Sequence, residues 1–135
     1  MTPYPDPAEL ASVAAEAADD KKATDLVVLD VGDILSLVEL FLLATANNER
    51  QLKAVAEAVE DRLRERYDLR PLRREGQPSS GWMLLDYGDV VCHLFAAEQR
   101  AFYDLERLWS DVPRHDPLGA NAHANAQTGA GEVGA

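Results

Sequence analysis

Residues 82–95 read WMLLDYGDVVCHLF, two short apolar runs separated by Tyr87-Gly88-Asp89. Trp82 to Asp86 and Val90 to Phe95 are the right length for strands, and Gly88 stands where a tight hairpin needs positive φ. The run reads as two antiparallel strands joined by a turn. Side chains alternate along a strand, so Trp82, Leu84 and Asp86 share one face while Met83, Leu85 and Tyr87 share the other. One face must meet helices. The other is either covered within the domain or left to a partner, and tryptophan and tyrosine are residues that anchor interfaces.

Downstream, Glu98 to Trp109 (EQRAFYDLERLW) has the spacing of a helix with Phe102, Leu105, Leu108 and Trp109 turned inward. Upstream, residues 69–75 (LRPLRRE) form a short strand carrying three arginines, and 76–81 a plain loop. Asn47-Asn48 caps the longest helix, Glu49 to Tyr67, whose inner face is Leu52, Val55, Ala56, Val59 and Leu63. Two further strands are expected at Asp25 to Val31 and Val38 to Ala46, although the leucines of the latter also suit a helix. Asp6-Pro7 starts a first helix over 7–22, with proline at its first position and a thin, alanine-rich stripe. The order αββαβββα predicts an α/β fold, a mixed sheet of about five strands flanked by helices. Residues 1–6 are a lead-in, 7–112 the domain, and 113–135, small, polar and without period, a disordered tail.

At 135 residues the chain makes one domain. Its single cysteine, Cys92, excludes a disulfide framework and a cysteine zinc site. The start of the chain does not resemble a signal peptide, and the longest apolar run, broken by Glu39, is far short of a membrane span of ~20 residues. A cytoplasmic protein is expected. With 13 Lys and Arg against 24 Asp and Glu, the net charge of -11 repels nucleic-acid phosphate and favours a basic protein partner. The exception is 62–74, where Arg62, Arg64, Arg66, Arg70, Arg73 and Arg74 face only Glu65 and Asp68. That run either touches phosphate or is a solvated helix end.

Asp86, Asp89 and His93 are the candidates for chemistry: two acids three residues apart can hold a metal or share acid–base work. Aspartates at hairpin ends more often accept hydrogen bonds from turn amides, and a mid-strand histidine is more often a sheet-face residue than a ligand. Cys92 and His93 are adjacent, hence on opposite faces, and cannot pair. No glycine-rich phosphate cradle is present, and Ser79-Ser80 has no base nearby in sequence.

Taken together, KKATDLVVLDV at 21–31, NNERQLKAVAEAVEDRL at 47–63, WMLLDYGDVVCHLF at 82–95 and EQRAFYDLERLW at 98–109 resemble the ribosomal silencing factor (RsfS, or Iojap) family over about residues 8–111. The resemblance implies a nucleotidyltransferase-like topology without that chemistry, because the Gly-Ser turn and Asp-x-Asp pair are missing; a nucleotidyltransferase-like enzyme using Asp86 and Asp89 is the alternative. It implies no cofactor. It further implies a factor that docks on the interface-side protein number fourteen of the large ribosomal subunit. That contact blocks joining of the small subunit and represses translation under nutrient limitation. The family pattern places the contact at Trp82, Leu84, Asp86, Tyr87 and Asp89, with ribosomal RNA as a secondary contact and a homodimer as the free form. Val38-Glu39-Leu40-Phe41, Thr45-Ala46-Asn47-Asn48 and Cys92 depart from that pattern.

Overall fold

The structure, a computed structural model, describes residues 4–118. The elements run α1 (Pro7–Asp20), β1 (Thr24–Asp30), β2 (Leu40–Ala46), α2 (Glu49–Tyr67), β3 (Arg73–Glu75), β4 (Trp82–Asp86), β5 (Val90–Ala96), α3 (Ala97–Tyr103), α4 (Leu105–Leu108) and β6 (Arg114–His115). The strands form one sheet in the order β3-β4-β5-β2-β1-β6. Only β2 and β5 pair in parallel; the other neighbours are antiparallel. The mixed α/β fold is as expected, with six strands rather than about five.

Both long helices begin at side-chain caps. Asp6 Oδ1 accepts from Glu9 N at 2.8 Å, and Asn48 Oδ1 accepts from Gln51 N at 2.8 Å, satisfying amides that have no partner inside the helix. α2 ends where Asp68 enters the left-handed region at φ 53°. The alanine stripe of α1 lets it lie close to α2, and together they cover one sheet face. Leu10, Leu52, Leu63, Met83, Leu85, Cys92 and Leu94 fill the space between. Each buried leucine there contributes about 2 kcal/mol.

A smaller apolar cluster lies on the opposite face. Val27, Leu29, Val31, Phe41, Leu43, Val91 and Phe95 form it, with Trp82, Leu84, Leu105 and Trp109 packed at its margin. α3 reaches this part of the molecule through contacts with β5 and β2.

Three expectations need correction. The continuous helix over 98–109 is two helices, broken at Asp104, which adopts φ 50° and ψ 53°. A left-handed residue redirects the axis, so the periodic inward face does not continue through it. Leu105 and Trp109 do pack on the sheet. Phe102 and Leu108 do not: they are 80% and 73% exposed. Second, residues 113–118 are ordered. Arg114 and His115 add a strand to β1, and Asp30 N donates to Pro113 O at 2.9 Å. The remainder of the expected disordered tail lies outside the described residues. Third, the strand expected over 69–75 is confined to Arg73–Glu75.

Candidate functional site: the aromatic sheet face

The hairpin turn is built by Asp86 and Gly88. Asp86 Oδ1 accepts from Gly88 N at 2.8 Å, Tyr87 N donates to Val90 O at 2.9 Å, and Gly88 takes φ 90°. This is the turn-capping role expected of a hairpin aspartate. It fixes the register Trp82↔Phe95, Leu84↔His93 and Asp86↔Val91, so these six side chains share the face away from α1 and α2.

Trp82 is the centre of that face. Half-buried, it stacks on Phe95 with ring centres 5.0 Å apart and lies 4.3 Å from the ring of Tyr103. Its Nε1 donates to Nδ1 of His93 at 3.2 Å. Phe41 packs edge-to-face on His93 at 4.7 Å and on Trp109 at 5.5 Å. Burial lowers the His93 pKa to about 4, so the ring is neutral at ordinary pH. A shallow recess of about 220 Å³ opens between Glu75, Gly76, Trp82 and Leu84.

Behind Trp82, Gly76 is required by geometry. It has φ +83°, and a Cβ there would stand 2.1 Å from the main-chain oxygen of Trp82. The close approach of these two backbones holds the start of β4 in place.

The five residues implied by the family resemblance divide. Trp82, Leu84 and Asp86 line up on the aromatic face. Asp86 is only 16% exposed, and its Oδ2 accepts from Arg73 Nη2 at 3.2 Å, which makes its carboxylate a local structural group as well. Asp89, at the turn, ties β2 to the hairpin through its carbonyl, which accepts from Glu39 N at 2.8 Å and Leu40 N at 3.0 Å. Tyr87 is the correction. It is 2% exposed and packs in the helix-side core with Met83 and Leu85, where burial holds its phenol well above the ordinary pKa. Strand alternation places it on that side, and in the folded chain it presents almost no surface to a partner.

The aspartates do not assemble into a metal centre. Among the described residues, no group of three or more His, Cys, Asp or Glu side chains is placed to hold a metal ion. Cys92 is fully buried on the helix side, and burial pushes its thiol up to about 12. The arginine run is largely consumed locally. Arg62 pairs with Asp20, Arg64 with Asp61, Arg70 with Asp68, Arg73 with Glu75 and Asp86, and Arg74 with Glu60.

Sequence reasoning missed the clamp that holds the C-terminal segment. Arg100, nearly buried, donates from Nη1 to Thr45 Oγ1 at 2.8 Å and from Nε to Glu106 Oε1 at 2.9 Å. Glu106 also accepts from Arg114 Nη2 at 3.0 Å. The Arg100 hydrogen bond holds the Glu106 carboxyl below the usual range, outweighing its partial burial. The six-residue separation of Arg100 and Glu106 spans the Asp104 break, so an unbroken helix would not predict the pair. No helix among the described residues is long and apolar enough to cross a membrane.

A mixed sheet with two helices on one face and an aromatic strip on the other defines a small α/β domain. The profile of the family described as "Ribosomal silencing factor during starvation" (RsfS) matches residues 4–133. The chain is 38% identical over 104 residues to ribosomal silencing factor RsfS of Bacillus subtilis, covering 77% of this chain and 87% of that one. It is 38% identical over 110 residues to the chloroplastic protein Iojap of Zea mays, covering 79% of this chain and 47% of the plant protein. Two crystal structures share the fold. One, from Chromobacterium violaceum, has TM-score 0.74 and 36% identity, covering 78% of this chain and 88% of that one. The other, from Bacillus halodurans, has TM-score 0.69 and 37% identity, covering 79% and 96%. The chain belongs to the ribosomal silencing factor family.

Proposed function

We propose that this protein represses translation by docking its aromatic face on the large ribosomal subunit, at the interface-side protein number fourteen, where it blocks joining of the small subunit under nutrient limitation. The observation that carries this reading is the Trp82–Leu84 strip, half-buried on the side of the sheet that α1 and α2 leave open, with a recess beside it. Aromatic and aliphatic anchors of this kind dominate interface energies. The net charge of -11 steers the protein toward a basic ribosomal protein and away from phosphate. Ribosomal RNA is at most a secondary contact, because five of the six arginines of 62–74 already have acidic partners. The factor acts in the cytoplasm by mass action, without bond making, and is a homodimer when free.

Co-sedimentation with purified large subunits tests the reading. Trp82→Ala is expected to weaken binding by about 2 kcal/mol or more, some 30-fold. Loss of small-subunit exclusion should accompany it. Unchanged binding by a folded Trp82→Ala protein would move the contact off this face.

A further inference from the structure

The indole N–H is only a donor, so the Nδ1 of His93 that receives it carries the lone pair, and the neutral imidazole keeps its proton on Nε2. That Nε2 is buried, and no hydrogen-bond partner meets it. His93 as a whole is 6% exposed. The edge-to-face packing of Phe41 on the imidazole supplies no true acceptor. Buried donors are nearly always satisfied, and leaving one unmet is costly. The cluster around it is otherwise apolar: Phe41, Phe95 and Leu43 offer this ring no hydrogen-bond acceptor from their side chains. A polar ring in this place, held in one tautomer by Trp82 and left without an acceptor, is an incomplete hydrogen-bonded site beside the docking strip.

We propose that His93 gives the docking face its directional contact: Nε2–H donates to a main-chain carbonyl of the large-subunit protein that covers Trp82 and Leu84. This rests on the docking reading above. The nearest ring, Phe41, packs against Trp109 at the end of the four-residue α4, and the proposed contact requires these two side chains to turn aside as the partner docks. A carbonyl fits better than an anionic acceptor, because Asp86 and Asp89 stand on the same hairpin in a chain of charge -11. Trp82 thereby does two jobs, as an apolar anchor and as the positioning residue for His93.

Two measurements test the proposal. In the free protein, a side-chain proton–nitrogen correlation spectrum of histidine-labelled chain, which contains three histidines, should show His93 as the Nε2–H tautomer. Adding isolated large-subunit protein number fourteen should move that proton downfield. An Nδ1–H tautomer, or a signal indifferent to the partner, overturns the proposal. In co-sedimentation with large subunits, His93→Phe should bind about tenfold more weakly than the natural chain, and His93→Gln, which keeps a donor, should recover most of the loss. Equal binding by natural chain and His93→Phe overturns it, as does a defect confined to self-association. If His93→Phe fails to fold, the tautomer and its response decide alone. Failure of the natural chain to bind large subunits would instead sink the docking reading.

Discussion

Trp82 Nε1 donates to His93 Nδ1 at 3.2 Å, so a residue of one hairpin strand sets the tautomer of a residue on the other. The bond can form because Trp82 and His93 lie on the same face as diagonal neighbours, His93 standing two residues before Phe95, the register partner of Trp82.

The burial of His93 has a consequence for stability against pH. His93 titrates near 4 in the folded chain and near 6.5 when unfolded, so between those values the unfolded chain binds more protons. Stability is therefore full above pH 6.5 and falls as pH drops toward 4, by up to about 3 kcal/mol. Urea midpoints measured from pH 7.5 to 4 should show this slope, and His93→Gln should flatten it. A slope unchanged in the variant would assign the effect to another group.

Gly76→Ala should be severe for a single methyl group. Its Cβ would fall 2.1 Å from the Trp82 main-chain oxygen at a φ of +83°, where neither partner is a flexible side chain. A loss of about 2 kcal/mol is expected, read from chemical denaturation. Tryptophan fluorescence should shift as β4 is displaced.

Glu106→Gln should loosen the C-terminal segment. The nearly buried Arg100 would lose its carboxylate and Arg114 its tether, at a cost of about 2 kcal/mol. Because the Glu106 pKa is depressed by folding, its contribution is present above the ordinary carboxylate range and disappears as pH falls through the lowered value. Faster proteolysis after residue 112 is the direct readout, and a variant as resistant as the natural chain would refute the clamp.

The helix break makes a contrasting pair. Phe102→Ser, at an 80% exposed position, should change stability by no more than about 0.5 kcal/mol. Phe95→Ala, at a fully buried one, should cost about 3–5 kcal/mol. Thermal unfolding of the two variants would distinguish this arrangement from a continuous helix with Phe102 inside, in which both would be damaging.

Most of the fold was legible where local signals agreed. The helix Glu49–Tyr67 has a cap, a period and a charged outer face, and the hairpin has two apolar runs around a glycine turn. The break at Asp104 was not legible, since aspartate in the left-handed region leaves no mark on hydrophobic spacing. Nor was β6, a two-residue strand whose stability comes from β1 and Glu106, far away in sequence. Tyr87 is the instructive residue of the candidate site. Alternation assigned it to the side of Met83 and Leu85, the family pattern assigned it to the contact, and its burial agrees with alternation.

The amino-acid order alone determined which hairpin side chains share a face, because the two-residue period of a strand is a property of the backbone at each residue. It could not say which face stays open. That was decided when α1 and α2, packed on each other, both settled against Met83, Leu85 and Leu94 and left Trp82, Leu84 and His93 on the other side. The choice depends on contacts between segments tens of residues apart, whose energies no local pattern records.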